Sequence, residues 1–427
     1  EILIGLVGSE MCIRDSKKHF QIQNLSLSTR VLLMKQHANL PKAGIITSHY
    51  YFIKTNYGSL LQNFALQRYL EKTGLFPFLI KQEEISRPLS CPEKIKFYLF
   101  HPLQLFRRIF QKPAREAEEK EQRIVRFNQE HPRPFESFIS KHLNATPITY
   151  DRDKLREHPP EADVYLAGSD QIWTLDDFDK LLNFAPPGKR IAYAASANWG
   201  KQSKRWFIEA RRELPCFTGI SVRETEGREI CQKAGIEQVE VVLDPTLLLD
   251  SSEYTSLVTA QSTYLPPDSI LGYFLNTDTL TEIYWDQILD SFKGNPLRII
   301  PLQGTELCIP EDNIITPDPY EFIQAFKEAK NIITNSFHGT VFSIIMRKPF
   351  LSILQAGNTA IQNTRFFSLL KSLGLEDRIY APEKGSMREQ MEQKIQWEAV
   401  ENRLEQLRAH STEFLKKAIH QSICRHG

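Results

Sequence analysis

Short apolar runs alternate with segments of helical periodicity over most of this chain. The runs that read as buried strands are 45–47, 78–80, 163–167, 190–196, 219–224, 239–249, 270–275, 298–302, 332–333 and 350–353. Strands joined by helices pair in parallel, because a crossover helix returns the chain to the same end of the sheet. The alternation therefore predicts an α/β protein with Rossmann-like, doubly wound sheets, in which ligands bind where the strands end.

The alternation stops and restarts around 251–268, where Pro266 and Pro267 suit a linker. The chain of 427 residues also fits two domains of about 150 residues each with insertions. The pattern thus predicts two doubly wound domains that face a cleft. The predicted segments are an N-terminal domain over 43–250 with a helical insertion at about 82–150, a linker over 251–268, a C-terminal domain over 269–380 and a helical segment over 381–427.

The first residues do not fit this pattern. The segment Leu6–Ser16, LVGSEMCIRDS, resembles the in-frame translation of a common sequencing-library adapter, and the chain does not start with Met. We interpret residues 1–16 as an artefact and 17–42 as a leader of uncertain extent. Native sequence is therefore expected to begin after Ser16.

Composition argues against several classes of partner and site. Lys and Arg number 53 against 52 Asp and Glu, so no global attraction to nucleic acid is expected. No apolar run reaches the ~18 residues that a membrane-spanning helix needs. The six cysteines are scattered without CxxC pairs, which predicts neither a metal site nor a disulfide framework and fits a reducing cytoplasm.

A basic, aromatic-rich stretch interrupts the α/β pattern at 94–112, KIKFYLFHPLQLFRRIFQK, with five Lys and Arg and no acid. Such a stretch either lies on an anionic membrane surface or packs on the domain as an ordinary helix interrupted by Pro102. Peripheral contact with the inner face of the cell membrane is therefore one of two expectations for this stretch.

The stretch Asn331–Ile353 concentrates polar residues at a single turn. A short apolar strand leads into the turn, and a helix is predicted from about Gly339 to Met346. The turn carries Thr334, Asn335, Ser336 and His338. Because the free N–H groups and the dipole of a helix N-terminus favour an anion, His338 is placed where chemistry on an anion would occur.

A similar strand-turn-helix unit opens the globular part at Ala43. Its turn contains Asn56 and Gly58, and Ser59 with Gln62 fits a capping box for the helix that follows. Gly58 either admits a phosphate or a sugar closely or merely makes a tight turn. Both Asn56 and Gly58 are kept as candidate substrate contacts.

Polar residues also follow other predicted strands. The turn after 163–167 carries Gly168, Ser169 and Asp170. Arg223, at the end of 219–224, has a fixed fork of donors that suits a carboxylate or a phosphate. A salt bridge from Arg223 to Glu224 or another nearby acid is equally compatible with the spacing.

Six ordered motifs resemble those of the polysaccharide pyruvyl transferases. They are TNYGSLLQNFALQRYL (55–70), AGSDQIW (167–173), IAYAAS (191–196), ISVRE (220–224), VLDPTLLL (242–249) and TNSFHGTVFSI (334–344). Two doubly wound halves around a shared cleft also resemble the glycosyltransferase-B architecture. The family resemblance implies transfer of the carboxyvinyl part of phosphoenolpyruvate to two sugar hydroxyls, which gives a pyruvate ketal and releases phosphate. The acceptor would belong to an exopolysaccharide, a cell-wall polymer or a lipid-linked precursor, and no cofactor is implied.

The resemblance also implies roles for individual residues. The family's SFHG or RLHG histidine maps onto His338, which would be the general acid, and Arg223 with the N-terminus of the following helix would hold the donor's anionic groups. Relatives with an R-x-H-G pattern carry arginine where this chain has Ser336, so we expect either that Arg347 or Arg365 replaces it or that donor specificity differs. The remaining candidate substrate contacts are Asn56, Gly58, Gly168, Ser169, Asp170, Asn335, Ser336, Gly339, Thr340 and Arg365.

Two other function classes stay open. A glycosyltransferase could use the same architecture to hold a nucleotide-sugar, since fold alone does not determine chemistry. A non-catalytic polysaccharide-assembly module docked on a membrane is the third class, supported by 94–112. The run Asp176, Asp177, Phe178 and Asp179 superficially suggests a divalent-metal site, but we expect adjacent loop acids to be solvated and assign no metal ligand.

Overall fold

The structure, a computed structural model, describes residues 40–47, 53–83, 122–123, 125–174, 177–258, 263–275, 277, 279–302 and 308–424. The predictions for the adapter-like segment, for most of the leader and for 94–112 lie outside the described residues. Among the described residues, no helix combines the length and the apolar character needed to cross a membrane.

Six parallel strands form the first sheet, in the spatial order β2-β1-β3-β4-β5-β6. The strands are β1 (Lys42–Ile46), β2 (Phe76–Leu79), β3 (Val164–Ala167), β4 (Arg190–Ala195), β5 (Phe217–Val222) and β6 (Glu240–Val241). The helices of this half are α1 (Tyr57–Lys72), α2 (Phe135–His142), α3 (Arg152–Glu157), α4 (Lys204–Glu213), α5 (Thr225–Lys233) and α6 (Ser251–Thr255). The strand order reverses between β1 and β3, which makes this pair the topological switch point of the first sheet.

Four parallel strands form the second sheet, in the order β10-β9-β7-β8. The strands are β7 (Ile270–Leu275), β8 (Leu297–Leu302), β9 (Asn331–Thr334) and β10 (Phe350–Ser352). The helices that follow β7 in the chain are α7 (Trp285–Ser291), α8 (Pro319–Glu328), α9 (Phe337–Ile345), α10 (Thr364–Leu373), α11 (Met387–Glu392) and α12 (Trp397–Cys424). Here the order reverses between β7 and β9, so the turn after β9 lies at the second switch point.

The predicted α/β fold with two doubly wound, all-parallel sheets is confirmed in the described part of the chain. One local prediction was wrong. The strand expected over 239–249 ends at Val241, since Asp244 accepts a hydrogen bond from the Thr246 N–H and Pro245 begins a 3₁₀ turn. The segment predicted as a linker, 251–268, contains α6, and the helical segment predicted over 381–427 contains two helices, α11 and α12.

The carboxyl ends of the two sheets face each other, and the halves contact directly there. Tyr57, the first residue of α1, stacks on Phe322 of α8 with ring centroids 4.3 Å apart, and its hydroxyl donates to the Pro317 carbonyl at 2.5 Å. The largest hydrophobic core contains residues of both halves, including Tyr57 and Phe322. Such aromatic burial fixes the two switch points relative to each other.

Helix α12 returns the chain from the second half to the first sheet. It packs on β5 at Gly219, where a Cβ atom would lie 2.8 Å from the Ala418 Cβ. The hydroxyls of Thr218 and Ser422 are 2.6 Å apart along the same contact. The glycine therefore allows the helix to approach the strand closely, which ties the C-terminal segment to the N-terminal half.

Candidate active site

His338 lies in the first turn of α9, directly after β9. The helix begins at Phe337, two residues earlier than predicted, because the Ser336 side chain caps it by accepting from the Gly339 N–H at 3.3 Å. Gly339 is closely packed, since a Cβ atom there would lie 2.2 Å from Thr334 Oγ1. These contacts hold the His338 ring at the edge of the second sheet, facing the first half.

Gly58 of the first half makes room for that ring. A Cβ atom on Gly58 would lie 2.1 Å from His338 Nδ1, which is closer than any real contact. Asn56 caps α1 by accepting from the N–H groups of Gly58 and Ser59 at 2.9 and 3.2 Å, so the predicted capping box at Ser59 was wrong. The absence of a side chain at Gly58 therefore serves the approach of a histidine from the other half.

Asp244 of the first half lies close to the Nε2 atom of His338. Its Oδ2 atom is 3.6 Å from His338 Nε2 and accepts from Ser169 Oγ at 3.0 Å, and its Oδ1 atom accepts from the Thr246 hydroxyl at 2.6 Å. Burial alone would raise the pKa of Asp244, but His338, Arg223 and Thr246 outweigh burial and hold this pKa well below its usual range. Asp244 is therefore a buried carboxylate at neutral pH.

The Nε2 atom of His338 has no hydrogen-bond partner among the described residues, although it is buried. Its distance of 3.6 Å to Asp244 exceeds a normal hydrogen bond. Asp244 Oδ2 already accepts from Ser169 and Arg223, so it does not hold Nε2 tightly. A buried polar atom without a partner is uncommon, which marks Nε2 as the atom available to a ligand.

Arg223 joins the acids of the first half to one another. Its Nη1 donates to Asp244 Oδ2 at 2.7 Å and its Nε donates to Glu224 Oε1 at 3.0 Å, so the salt-bridge alternative is the arrangement observed. Glu224 also accepts from Ser196 and Trp199. The remaining nitrogen, Arg223 Nη2, is buried without a hydrogen-bond partner among the described residues. Within the Arg223 guanidinium, Nη2 is therefore the nitrogen that remains to contact a ligand.

Arg365 approaches the same place from α10. Its guanidinium carbon lies 5.8 Å from the centre of the Phe337 ring, and that of Arg223 lies 4.3 Å from the centre of the same ring. Arg365 is buried, and it donates to the side chain and the backbone carbonyl of Gln362 at 2.6 and 3.1 Å. Two arginines from different halves therefore converge on the residue that precedes His338.

The other candidate residues at the first switch point have different surroundings. Gly168 packs against Ile45 and Ile46, whose atoms would lie 3.3 Å from an added Cβ. Ser169 is fully buried and donates to Asp244. Asp170 adopts a left-handed backbone with φ 73° and is part of the electrostatic surroundings of both Arg223 and Arg365. Strained backbone of this kind is common at functional sites.

The polar candidates of the second half hold the turn together. Asn335 accepts from the Leu275 N–H at 2.7 Å and donates to the Leu275 carbonyl at 2.8 Å, which fixes the end of β7. The Thr340 and Ser352 hydroxyls are 2.7 Å apart and join α9 to β10. These side chains position the His338 turn, and their described contacts are all within the protein.

Arg347 does not reach the site, so it cannot replace the arginine that relatives carry at the position of Ser336. It lies at the end of α9 with a 58% exposed side chain, paired with Glu401 at 2.9 Å.

The expectation of a solvated acidic run at 176–179 was wrong at its described positions. Asp177 and Asp179 are buried and pair with Arg152, and Asp179 also pairs with Arg156 at 3.1 Å. Among the described residues, no three potential metal ligands cluster.

Sequence reasoning missed three participants, namely Asp244, Phe337 and Gln362. A signal for Asp244 was present, because Asp244 and Pro245 interrupt the apolar run over 239–249. The overlong strand prediction hid its capping role. Phe337 and Gln362 carried no signal, since their importance arises from contacts between distant parts of the chain.

The fold and the site together define a two-domain α/β protein whose candidate active site lies between its halves. The chain belongs to the polysaccharide pyruvyl transferase family, whose model matches residues 56–355. The predicted family is thereby confirmed, and the protein is a transferase of polysaccharide biosynthesis with a sugar or glycan acceptor.

Comparison with solved structures gives distant similarities. A UDP-GlcNAc 2-epimerase from Methanocaldococcus jannaschii is 13% identical with a TM-score of 0.44, over 84% of this chain and 92% of that chain. The UDP-GlcNAc 2-epimerase from Neisseria meningitidis bound to UDP-GlcNAc is 13% identical with a TM-score of 0.41, over 88% and 100%. The S. aureus MnaA-UDP co-structure is 12% identical with a TM-score of 0.41, over 87% and 90%. No curated protein sequence matches the chain.

Proposed function

We propose that this transferase uses phosphoenolpyruvate as donor and forms a pyruvate ketal on two hydroxyls of a sugar. The observation that carries the proposal is the unpartnered, buried Nε2 of His338, 3.6 Å from the ionised Asp244. An enol ester needs a positioned acid more than it needs a nucleophile, because protonation of its methylene carbon generates the electrophile. A histidine held between the halves suits that step.

The proposed reaction begins when His338 transfers a proton from Nε2 to the methylene carbon, which becomes a methyl group. The adjacent carbon gains positive charge and bonds to the first sugar hydroxyl, whose proton restores His338. The bond from that carbon to the phosphate oxygen then breaks, and the second hydroxyl adds in its place. The second hydroxyl proton leaves on the phosphate, so atoms and charge balance without any redox step.

Asp244 is proposed as a positioning residue for the proton on His338. It remains ionised because its network of donors holds its pKa low, so it faces Nε2 with a fixed negative charge. When Nε2 carries a proton, this charge offsets the positive imidazolium in a site with little water. Gly58 contributes by leaving the space that the ring needs.

The donor activates itself, so we propose no cofactor and no metal ligand for this chain. The acceptor is proposed to belong to an exopolysaccharide, a cell-wall polymer or a lipid-linked precursor. Phosphoenolpyruvate is a cytoplasmic metabolite, which supports a cytoplasmic site of action. Peripheral contact of 94–112 with the inner face of the cell membrane remains a prediction from its basic, aromatic composition.

Turnover of phosphoenolpyruvate tests the proposal. The protein is incubated with phosphoenolpyruvate and cell-envelope glycan, and released phosphate is compared with the pyruvate that mild acid frees from the washed glycan. Equal amounts of the two products are expected. Phosphate release without glycan-bound pyruvate, or incorporation of sugar from a nucleotide-sugar instead, would contradict the proposal.

A further inference from the structure

We infer that Arg365 is the principal anchor for the phosphate group of the donor, with Arg223 Nη2 as a second donor across the Phe337 ring. This inference rests on the proposed function and deepens it. It assigns to α10 the cation that relatives with an R-x-H-G pattern carry in the turn before the histidine, where this chain has the helix-capping Ser336.

The charge of Arg365 is balanced differently from that of the other buried arginines. The described part of the chain buries four arginines, at positions 190, 223, 365 and 378. Arg190 pairs with Glu213 at 2.7 Å, Arg223 with Asp244 at 2.7 Å, and Arg378 with Asp377 at 2.8 Å. Arg365 alone among these four has no carboxylate within ion-pair distance in the described residues.

The hydrogen bonds of Arg365 are to neutral groups, the side chain and the backbone carbonyl of Gln362. These contacts orient the planar guanidinium but do not neutralise it. Burial and the nearby charge of Arg223 accordingly lower the pKa of Arg365 to about 10, which still leaves it charged at neutral pH. Asp170, Glu224 and Asp244 raise this pKa in part, but none of them forms an ion pair with Arg365. A buried cation without a direct ion pair is unfavourable, and an anionic ligand would relieve that cost.

The position of Arg365 fits a phosphate of the donor. Its guanidinium carbon and that of Arg223 lie 5.8 and 4.3 Å from the centre of the Phe337 ring, and Phe337 precedes His338, so an anion bound by these guanidinium groups would lie near the proposed acid. Phe337 and His338 are also in the first turn of α9, where the helix dipole favours an anion. A guanidinium fork matches phosphate oxygens in two-point contact. Arg223 is already paired with Glu224 and Asp244, so it contributes less charge than Arg365.

The test compares the wild type with Arg365→Gln, Arg365→Lys and the exposed control Arg347→Gln by calorimetric titration. The probes are phosphoenolpyruvate, inorganic phosphate and pyruvate, which separate the phosphate from the carboxylate. We expect Arg365→Gln to weaken phosphoenolpyruvate and phosphate binding at least tenfold and to change pyruvate binding little. Arg365→Lys should recover part of the affinity, because the charge returns without the fork. The control should bind like the wild type.

A thermal-unfolding measurement separates this role from a structural one. Without ligand, Arg365→Gln should melt at the same temperature as the wild type or higher, since an uncompensated buried charge is removed. Phosphate should raise the melting temperature of the wild type but not of the variant. A phosphoenolpyruvate affinity within twofold of the wild type in the folded Arg365→Gln variant would overturn the inference about Arg365 but not the proposed function. A wild type that binds neither phosphoenolpyruvate nor phosphate would overturn the proposed function as well.

Discussion

The two switch points differ in how their charges are balanced. At the carboxyl edge of the first sheet, Arg223 forms ion pairs with both Glu224 and Asp244 within a buried network, which keeps one negative charge in excess. The second half presents His338 and Arg365 to the same place, where His338 Nε2 makes no hydrogen bond and Arg365 contacts no carboxylate among the described residues. Apart from Arg223 Nη2, the charged groups of the first half are thus paired with one another, whereas His338 Nε2 and the charge of Arg365 have no such partner among the described residues.

This difference suggests how the site divides its work. A satisfied network is rigid, and its substitution should mainly change folding stability. Buried groups that lack a hydrogen-bond or ion-pair partner gain most from a ligand, so their substitution should mainly change binding or turnover. The four experiments below test that division.

The largest effect is expected for His338→Gln. The amide has a similar volume but cannot act as an acid, so we expect turnover to fall by about 10²–10⁴ with little change in the free energy of unfolding. His410→Gln is the matched control, because His410 lies 3.5 Å from Glu240 in a similar but exposed pair. Steady-state phosphate release measures both. Turnover in His338→Gln near that of the wild type would contradict the claim that the second half carries the chemical step.

Arg223→Met should mainly lower the folding stability. It leaves two buried carboxylates, Glu224 and Asp244, without their shared cation, and we expect the free energy of unfolding to fall by about 3–5 kcal/mol. The control Arg347→Met breaks an exposed pair and should cost at most about 1 kcal/mol. Urea unfolding measures both values. An equal loss in the free energy of unfolding of the two variants would contradict the claim that Arg223 holds a buried ion-pair network together.

Gly58→Ala tests the contact between the two switch points. The new methyl group would collide with the His338 ring, so we expect about 1–3 kcal/mol of destabilisation and a loss of turnover approaching about 100-fold as the ring moves. Gly74→Ala is the control, because an added Cβ meets no atom within 4 Å there and only its φ of 84° opposes the change. Kinetics and urea unfolding of both variants are compared. A Gly58→Ala enzyme with full turnover would show that the ring position is unimportant.

Acid should weaken the junction between the halves at His142, which contacts the Tyr320 hydroxyl at 2.9 Å. Burial, with the charges of Lys141 and Arg68, lowers the pKa of His142 to about 4. The unfolded chain takes up this proton near pH ~6.5, so the free energy of unfolding should fall between about pH 6.5 and 4, by about 1–2 kcal/mol after allowance for partial exposure.

His142→Gln should lack this part of the pH dependence. Urea unfolding at pH 7 and pH 5 measures it in both proteins. Parallel curves for the wild type and His142→Gln would exclude His142 as its source.

Sequence reasoning reached the fold because buried parallel strands are nearly continuous apolar runs with polar ends. It placed His338 for the same reason, since a polar turn between a strand and a helix is a local pattern. It failed where a residue's role depends on distant partners. Nothing near Gly58 in the sequence indicates a histidine from the other half. Arg365 became a candidate only through the family resemblance, since a position on a helix does not by itself distinguish it from a surface residue.

The most direct test of the account is a calorimetric titration with phosphoenolpyruvate and, separately, with UDP-GlcNAc. We expect the wild type and His338→Gln to bind phosphoenolpyruvate with similar affinity, because His338 acts in the chemical step, and neither to bind UDP-GlcNAc. Binding of UDP-GlcNAc without binding of phosphoenolpyruvate would contradict pyruvyl transfer and favour a nucleotide-sugar enzyme.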